Sequence, residues 1–383
     1  MKKNFKCLAL MAAALLVGFS SCSNDNDNLG DGDKGQKHDA YLKINKAVTR
    51  AEGSAQGAAE VVFTTGDVYF ADAQGNIKRH LTISSDPTTT TNLNLADLTA
   101  KGETVTNLPE SATKVYMVGN TPGLPKAGNI STVKAKVLNV EDQKTITNVN
   151  LYGEATATED APATDKVNAK YKVEITLNPT VARVELTDMK ITGNVITSYD
   201  IAGIFIDNYY AQAAADGTVA KANLKDNGAN AAPFGGKTGE TAEYPATLNP
   251  SIFDWYATPL AASADKVAKP TKDVWGYNVF ATTTAAAYQS VAPRIVIRLT
   301  NIKTTEDSGV TYTEDQFVTI KGLKEGTSDA LTTIEAGKIY NIAKGALVID
   351  ETVLTPTPNL KAIDVKVTVK LASWVPVSIT PEI

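Results

Sequence analysis

Tyr171-Lys172-Val173-Glu174-Ile175-Thr176-Leu177, the stop Asn178-Pro179, and the restart Val181-Ala182-Arg183-Val184-Glu185-Leu186 form the stretch that decides the fold class. Alternation of apolar and polar residues has the period of a half-buried strand, and Asn-Pro is turn chemistry that a central strand does not tolerate. The same pattern recurs in both directions. Upstream lie Ala40-Tyr41-Leu42-Lys43-Ile44, Val61-Val62-Phe63, Val68-Tyr69-Phe70 and Lys114-Val115-Tyr116-Met117-Val118, the last ending at Gly119-Asn120. Downstream lie Ile201 to Ile206, Tyr277 to Phe280, Arg294 to Leu299, Gln316 to Ile320 and Lys338 to Ile342. Helical periodicity is confined to Leu93 to Leu98 and the alanine-rich patch Ala211 to Ala215. Short strands rich in Thr and Val, broken by Gly, Asn and Pro, predict an all-β chain of β-sandwiches. The break at Asn178-Pro179 divides it into an amino-terminal sandwich over residues 51–178 and a carboxy-terminal one over 179–360, with a tail over 361–383.

The start of the chain predicts export. Lys2-Lys3 precede an apolar run from Cys7 to Phe19 that is too short to anchor in a bilayer, which reads as a signal peptide over residues 1–21. Phe19-Ser20-Ser21-Cys22 places small residues before a cysteine, so Cys22 is the expected lipidated residue, with ordinary cleavage at a small-residue site as the alternative. The only two cysteines are Cys7 and Cys22, so the body beyond them has no disulfide, thiolate metal site or cysteine nucleophile. Ser23 to Lys37 is built from Asn, Asp, Gly and Lys and predicts a solvated tether, to which His38 is also assigned. Asp25, Asp27, Asp31 and Asp33 within it lack the glycine position and closing Glu of a calcium loop. An acidic tract directly after a lipidated cysteine resembles the surface-export signal of some diderm lipoproteins. A net charge of −5 without a basic stripe argues against a nucleic-acid partner.

The carboxy-terminal end alternates most strongly. Ile363, Val365, Val367, Val369 and Leu371 share one parity, and the pattern resumes at Val375, Val377 and Ile379 after Trp374. Fully extended, this run spans roughly 55 Å, about three ordinary strands, so it either breaks near Trp374-Pro376 or lies along more than one domain or subunit. On pattern alone, a strand finishing its own sandwich is the simpler reading.

These residues also carry a family resemblance. A valine-rich alternating strand followed by Ala372-Ser373-Trp374 and a further apolar strand resembles the appendage of fimbrillins, the subunits of type V pili of Bacteroidales-like bacteria. Other segments agree in order: the lipobox, Ala47-Val48-Thr49-Arg50, Val115 to Thr121, Ala182-Arg183-Val184 and Ile334 to Tyr340. The resemblance implies two transthyretin-like β-sandwich domains in tandem with a carboxy-terminal strand appendage. It also implies export through the outer membrane as a lipoprotein and trimming by a trypsin-like, Arg-specific protease, here between Arg50 and Ala51, with Lys43 and Lys46 as competing sites. Residues 22–50 would then be removed on maturation. Leu42, Ile44 and Val48 would leave a groove in the first sandwich, which the appendage of the next subunit (Ile363, Val365, Val367, Val369, Leu371, Trp374, Val375, Val377, Ile379) would fill as a donor strand. Head-to-tail donation of this kind builds a homo-polymeric shaft, with accessory pilus subunits as further partners, at the cell surface.

Two other classes compete. With only His38 and His80, an enzyme of the Ser-His-Asp or multi-histidine metal type would rest on one residue, so no catalysis, cofactor or metal is expected. Glu159-Asp160 reads as solvated loop charge. A non-polymerising surface lipoprotein could stack glycan on Trp255-Tyr256 or Trp275-Gly276-Tyr277, although aromatics beside strands more often pack in a core. Within the family, a tip or anchor subunit is the remaining alternative to a shaft subunit.

Overall fold

A computed structural model describes residues 37–46, 63–84, 86, 93–144, 148–164, 168–225, 252–281, 293–325, 331, 333–358 and 362–371. Cys22, Val48, Arg50, Ala51, Trp374, Val375, Val377 and Ile379 lie outside these residues. The described chain is nearly all β. Its first half contains β1 (Lys37–Lys46), β2 (Thr65–Ala71), β3 (Ile77–Ser84), β4 (Leu93–Asn94), α1 (Leu95–Ala100), β5 (Glu103–Pro109), β6 (Lys114–Gly119), α2 (Ile130–Lys134), β7 (Val137–Asn139), β8 (Leu151–Thr156), β9 (Thr158–Ala161) and β10 (Ala169–Pro179). Its second half contains β11 (Val181–Leu186), β12 (Met189–Thr192), β13 (Ile196–Asp207), β14 (Tyr209–Tyr210), β15 (Gln212–Ala214), β16 (Leu224–Lys225), β17 (Phe253–Ala261), β18 (Val267–Ala268) and β19 (Trp275–Phe280). The same half continues through β20 (Arg294–Thr304), β21 (Gln316–Glu325), β22 (Lys338–Ile342), β23 (Val348–Asp350) and β24 (Ala362–Leu371).

Among the described residues the first sheet runs β4-β3-β2-β6-β8-β10-β1-β5, with β9 added on β10. The second runs β17-β13-β20-β21-β24-β22-β11-β19. In each sheet one strand changes partners along its length. β10 pairs with β1 up to Leu177 and with β8 only at Asn178 and Pro179. β24 pairs with β21 from Ala362 to Val367 and with β22 from Thr368 to Leu371.

Asn178-Pro179 closes β10, and Val181 opens the second sheet two residues later, so the chain passes between sheets at this turn. One continuous apolar cluster nevertheless includes Ala40, Leu42 and Ile44 of the first half and Leu323, Tyr340 and Leu354 of the second. β7 and β15 pair across the two halves, from Val137 opposite Ala214 to Asn139 opposite Gln212. Asn150 adds a buried polar hub. It donates to the Thr180 hydroxyl at 3.2 Å and the Ala215 carbonyl at 2.8 Å, and its own N–H is received by Gln143 Oε1 at 2.7 Å. Asn278 donates to the Gln143 carbonyl at 2.8 Å.

That joint changes the reading of β11. Its alternation predicts a polar face toward solvent, yet every residue from Val181 to Leu186 is buried. Arg183 Nε donates to Glu185 at 2.8 Å, and Asn341 Nδ2 donates to the other Glu185 oxygen at 3.0 Å, so the covered charges neutralise each other. The helical expectation for Ala211 to Ala215 is overturned, because β15 is a strand there. Alanine favours a helix locally, but pairing with β7 and a tight return through Gly217 at φ +86° outweigh that preference. The expectation for Leu93 to Leu98 is shifted rather than lost. The side chain of Asn94 caps α1 by accepting from the N–H groups of Ala96 and Asp97, so the helix starts at Leu95 and Leu93 remains in β4.

Candidate functional site: the seat of the amino-terminal strand

β1 has the sequence Lys-His-Asp-Ala-Tyr-Leu-Lys-Ile-Asn-Lys, and His38, Ala40, Leu42 and Ile44 face the core. Ala40 and Leu42 are 0 % exposed and Ile44 is 2 % exposed, while Asp39, Tyr41 and Lys43 are half-buried. The strand runs parallel to β10, with Leu42 opposite Val173 and Ile44 opposite Ile175, and antiparallel to β5, with Ala40 opposite Val105 and His38 opposite Leu108. His38, Ala40, Tyr41 and Leu42 are paired on both sides, so β1 is a central strand over this stretch.

Side chains fix the register. Asp39 accepts from the Asn107 N–H at 3.0 Å and from Asn168 Nδ2 at 3.1 Å. The Tyr41 hydroxyl donates to the Lys101 carbonyl. Beneath the ring sits Gly102 at φ +73°, where any side chain would collide with the Tyr41 ring, so this position requires glycine on two counts. Lys43 lies opposite Glu174, which pairs with Lys172 at 2.7 Å.

Without β1, the groove would be lined by Val105, Leu108, Val173, Ile175 and Leu177, all buried at present. Burying Leu42 and Ile44 contributes roughly 1.5 to 3 kcal/mol each. Removing the strand would also free both edges of the groove, on β5 and β10, and unpaired edges invite another strand. The sequence pattern therefore located Leu42 and Ile44 correctly on one apolar face. Its assignment of His38 to a solvated tether is overturned: His38 is 1 % exposed on the same core face, 4.3 Å from the Tyr171 ring centroid. The signal was available, since His38 shares the parity of Ala40, Leu42 and Ile44. Lys43 lies inside the paired strand and Lys46 is its last residue.

Ile363, Val365, Val367, Val369 and Leu371 fall on β24, which is part of the second sheet in this chain. Its surroundings repeat those of β1 in kind, with a parallel neighbour (β21) and an antiparallel one (β22). The two neighbours are used in succession, however, and among the described residues no position of β24 pairs with both.

Elsewhere, two of the aromatic candidates belong to the core. Trp275 and Tyr277 are buried, with Trp275 Nε1 donating to the Tyr256 hydroxyl and the Tyr277 hydroxyl donating to Asp254, both at 2.6 Å. Burial, aided by the Asp254 charge, pushes the Tyr256 phenol up to about 12. His80 Nε2 lies 2.6 Å from Asp67 across β2 and β3, beneath the Tyr69 ring at 5.0 Å. Among the described residues no group of three or more His, Cys, Asp or Glu converges as a metal site.

No protein-family model and no curated protein matches the chain. Solved structures do. A fimbrilin from Porphyromonas gingivalis aligns at a TM-score of 0.51 and 10% identity, covering 88% of this chain and 97% of that one. A candidate cell adhesion protein from Parabacteroides distasonis aligns at 0.50 and 11% identity, covering 90% and 99%. At these identities the likeness is one of fold, and it extends over nearly the full length of both chains.

Proposed function

We propose that this chain is the precursor of a pilus shaft subunit that polymerises by donor-strand exchange and catalyses no reaction. In this reading Cys22 carries the lipid that escorts the precursor to the outer membrane. An Arg-specific, trypsin-like protease cuts between Arg50 and Ala51. β1 then leaves its seat, and the carboxy-terminal residues of a second copy enter it. The two sheets would correspond to tandem transthyretin-like sandwiches, and the product would be a surface fimbrium that supports adhesion and engages accessory subunits.

The observation that carries the proposal is the contrast in how the two strands are held: β1 is paired on both edges at His38 and from Ala40 to Leu42 in an apolar groove, whereas among the described residues β24 uses its two partners in succession. A plug that cannot leave while covalently attached needs a cut. The fold shared with a fimbrilin supports the same reading. A joint formed by burying five to eight aliphatic side chains gains roughly 1.5 to 3 kcal/mol from each, before association costs, which is enough for long-lived filaments.

Limiting trypsin on the full-length chain is the test. The expected result is a ladder of oligomers that survives mild denaturant and disappears when residues 365–383 are deleted. A trimmed chain that stays monomeric while the intact chain binds oligosaccharide would transfer the case to a surface-binding lipoprotein.

A further inference from the structure

Cutting after Arg50 does not by itself empty the groove. β1 would remain seated by backbone hydrogen bonds on both edges and by Ala40, Leu42 and Ile44 in the core, so release of the cut strand is a separate step with its own barrier. His38 sits at the entrance to that step. Its ring is 1 % exposed, it stacks at a tilt of 43° on Tyr171, and among the described residues neither Nδ1 nor Nε2 has a hydrogen-bond partner.

We propose that His38 makes the retention of β1 acid-labile: the strand is locked in its groove when the imidazole is neutral and loosened when the ring takes up a second proton. The inference rests on the reading of β1 as a removable plug and adds the condition under which it leaves. An imidazolium inside this groove would be a buried charge that its surroundings compensate only in part, which folded proteins avoid by expelling the group or by staying neutral. Burial accordingly holds the ring below its ordinary value of 6.5, against the pull of the Asp39 and Glu110 carboxylates and the Ala112 backbone.

The groups around the ring set the balance. Asp39 is on its own strand but is engaged by Asn107 and Asn168. Glu110 follows β5, and Tyr171 on β10 feels both Glu159 of β9 and Glu110. Of the lysines on the paired strands, Lys37 precedes His38 on β1 and Lys170 on β10 stands opposite Asp39. The sign follows from linkage. The released strand binds a proton at the ordinary histidine value and the seated one only at lower pH, so seating is unaffected well above 6.5 and weakens as pH falls through and below it.

The test uses the full-length chain. Hydrogen-exchange protection of the Leu42 and Ile44 amides is measured at about pH 8 and about pH 5, alongside an NMR titration of the His38 ring, one of only two histidines. The expected result is a several-fold fall in protection at the lower pH, tracking a His38 midpoint below 6.5 and absent from His38→Phe, which keeps the ring contact with Tyr171. Release of the cut strand from trypsin-treated protein should accelerate over the same range. Protection that ignores pH, a His38 midpoint at or above 6.5, or equal acid sensitivity in His38→Phe would each overturn the inference; if that variant does not fold, the titration in the unaltered chain decides alone. Failure of the polymerisation reading shows up separately, as acid-labile β1 protection in a chain whose trimmed form never assembles.

Discussion

β1 and β24 occupy comparable seats, each between a parallel and an antiparallel neighbour, but the two are held differently. Over Ala40 to Leu42 the amino-terminal strand is bonded on both edges, with its register fixed by Asp39 and Tyr41. The carboxy-terminal strand gives its first six residues to β21 and its last four to β22, with no position paired to both among the described residues. Freeing β1 breaks two ladders that overlap along His38 to Leu42 and opens a core, whereas freeing β24 breaks two ladders that follow one another along the strand. Under the proposed function the two strands take different roles, β1 as a closure that a cut must release and β24 as part of the arm lent to the next subunit.

The comparison can be broken most severely by deleting each strand. A chain starting at residue 47 should lose the apolar seat of Leu42 and Ile44 and either assemble or aggregate at once, whereas a chain ending at 361 should remain folded and monomeric, as read by light scattering and circular dichroism. Equal behaviour of the two deletions would remove the asymmetry. Next in size, Leu42→Ala empties a fully buried position and should cost about 2 to 5 kcal/mol in denaturant unfolding, with the loss concentrated in exchange protection of β1, β5 and β10. A disulfide between Lys338→Cys and Leu371→Cys, which stand opposite each other on β22 and β24, should lock the arm. Trimmed protein should then fail to form ladders until a reductant is added, and ladders under oxidising conditions would show that the end of β24 need not leave. Smallest is Tyr41→Phe, which removes the hydroxyl bond to the Lys101 carbonyl and should cost about 1 kcal/mol, visible as faster release of the cut strand.

The all-β class, the strands at Tyr171 to Leu186 and the core face of β1 were all legible in the sequence, because each depends on local period and parity. His38 was misassigned because the polar pair His38-Asp39 stands at the start of β1 beside a genuinely polar leader, and its burial comes from Tyr171 and Leu108, far along the chain. Arg183 and Glu185 looked like a solvent face because alternation cannot show that a second layer covers it. Only the Asn150 and Gln143 joint, formed by residues on either side of the break between sheets, reveals that. Ala211 to Ala215 looked helical because alanine propensity is local while pairing with β7 is not. Which edges of a terminal strand are paired is a long-range property as well, so the contrast between β1 and β24 required the structure.

Peptide capture tests the central claim most directly. A chain trimmed after Arg50 and lacking residues 361–383 is mixed with a synthetic peptide of those residues, and binding is compared with that of the untrimmed chain. The account predicts stable capture by the trimmed chain once β1 has been released, protection of the β5 and β10 amides on binding, and no capture by the untrimmed chain. Capture by neither form, or equal capture by both, would contradict it.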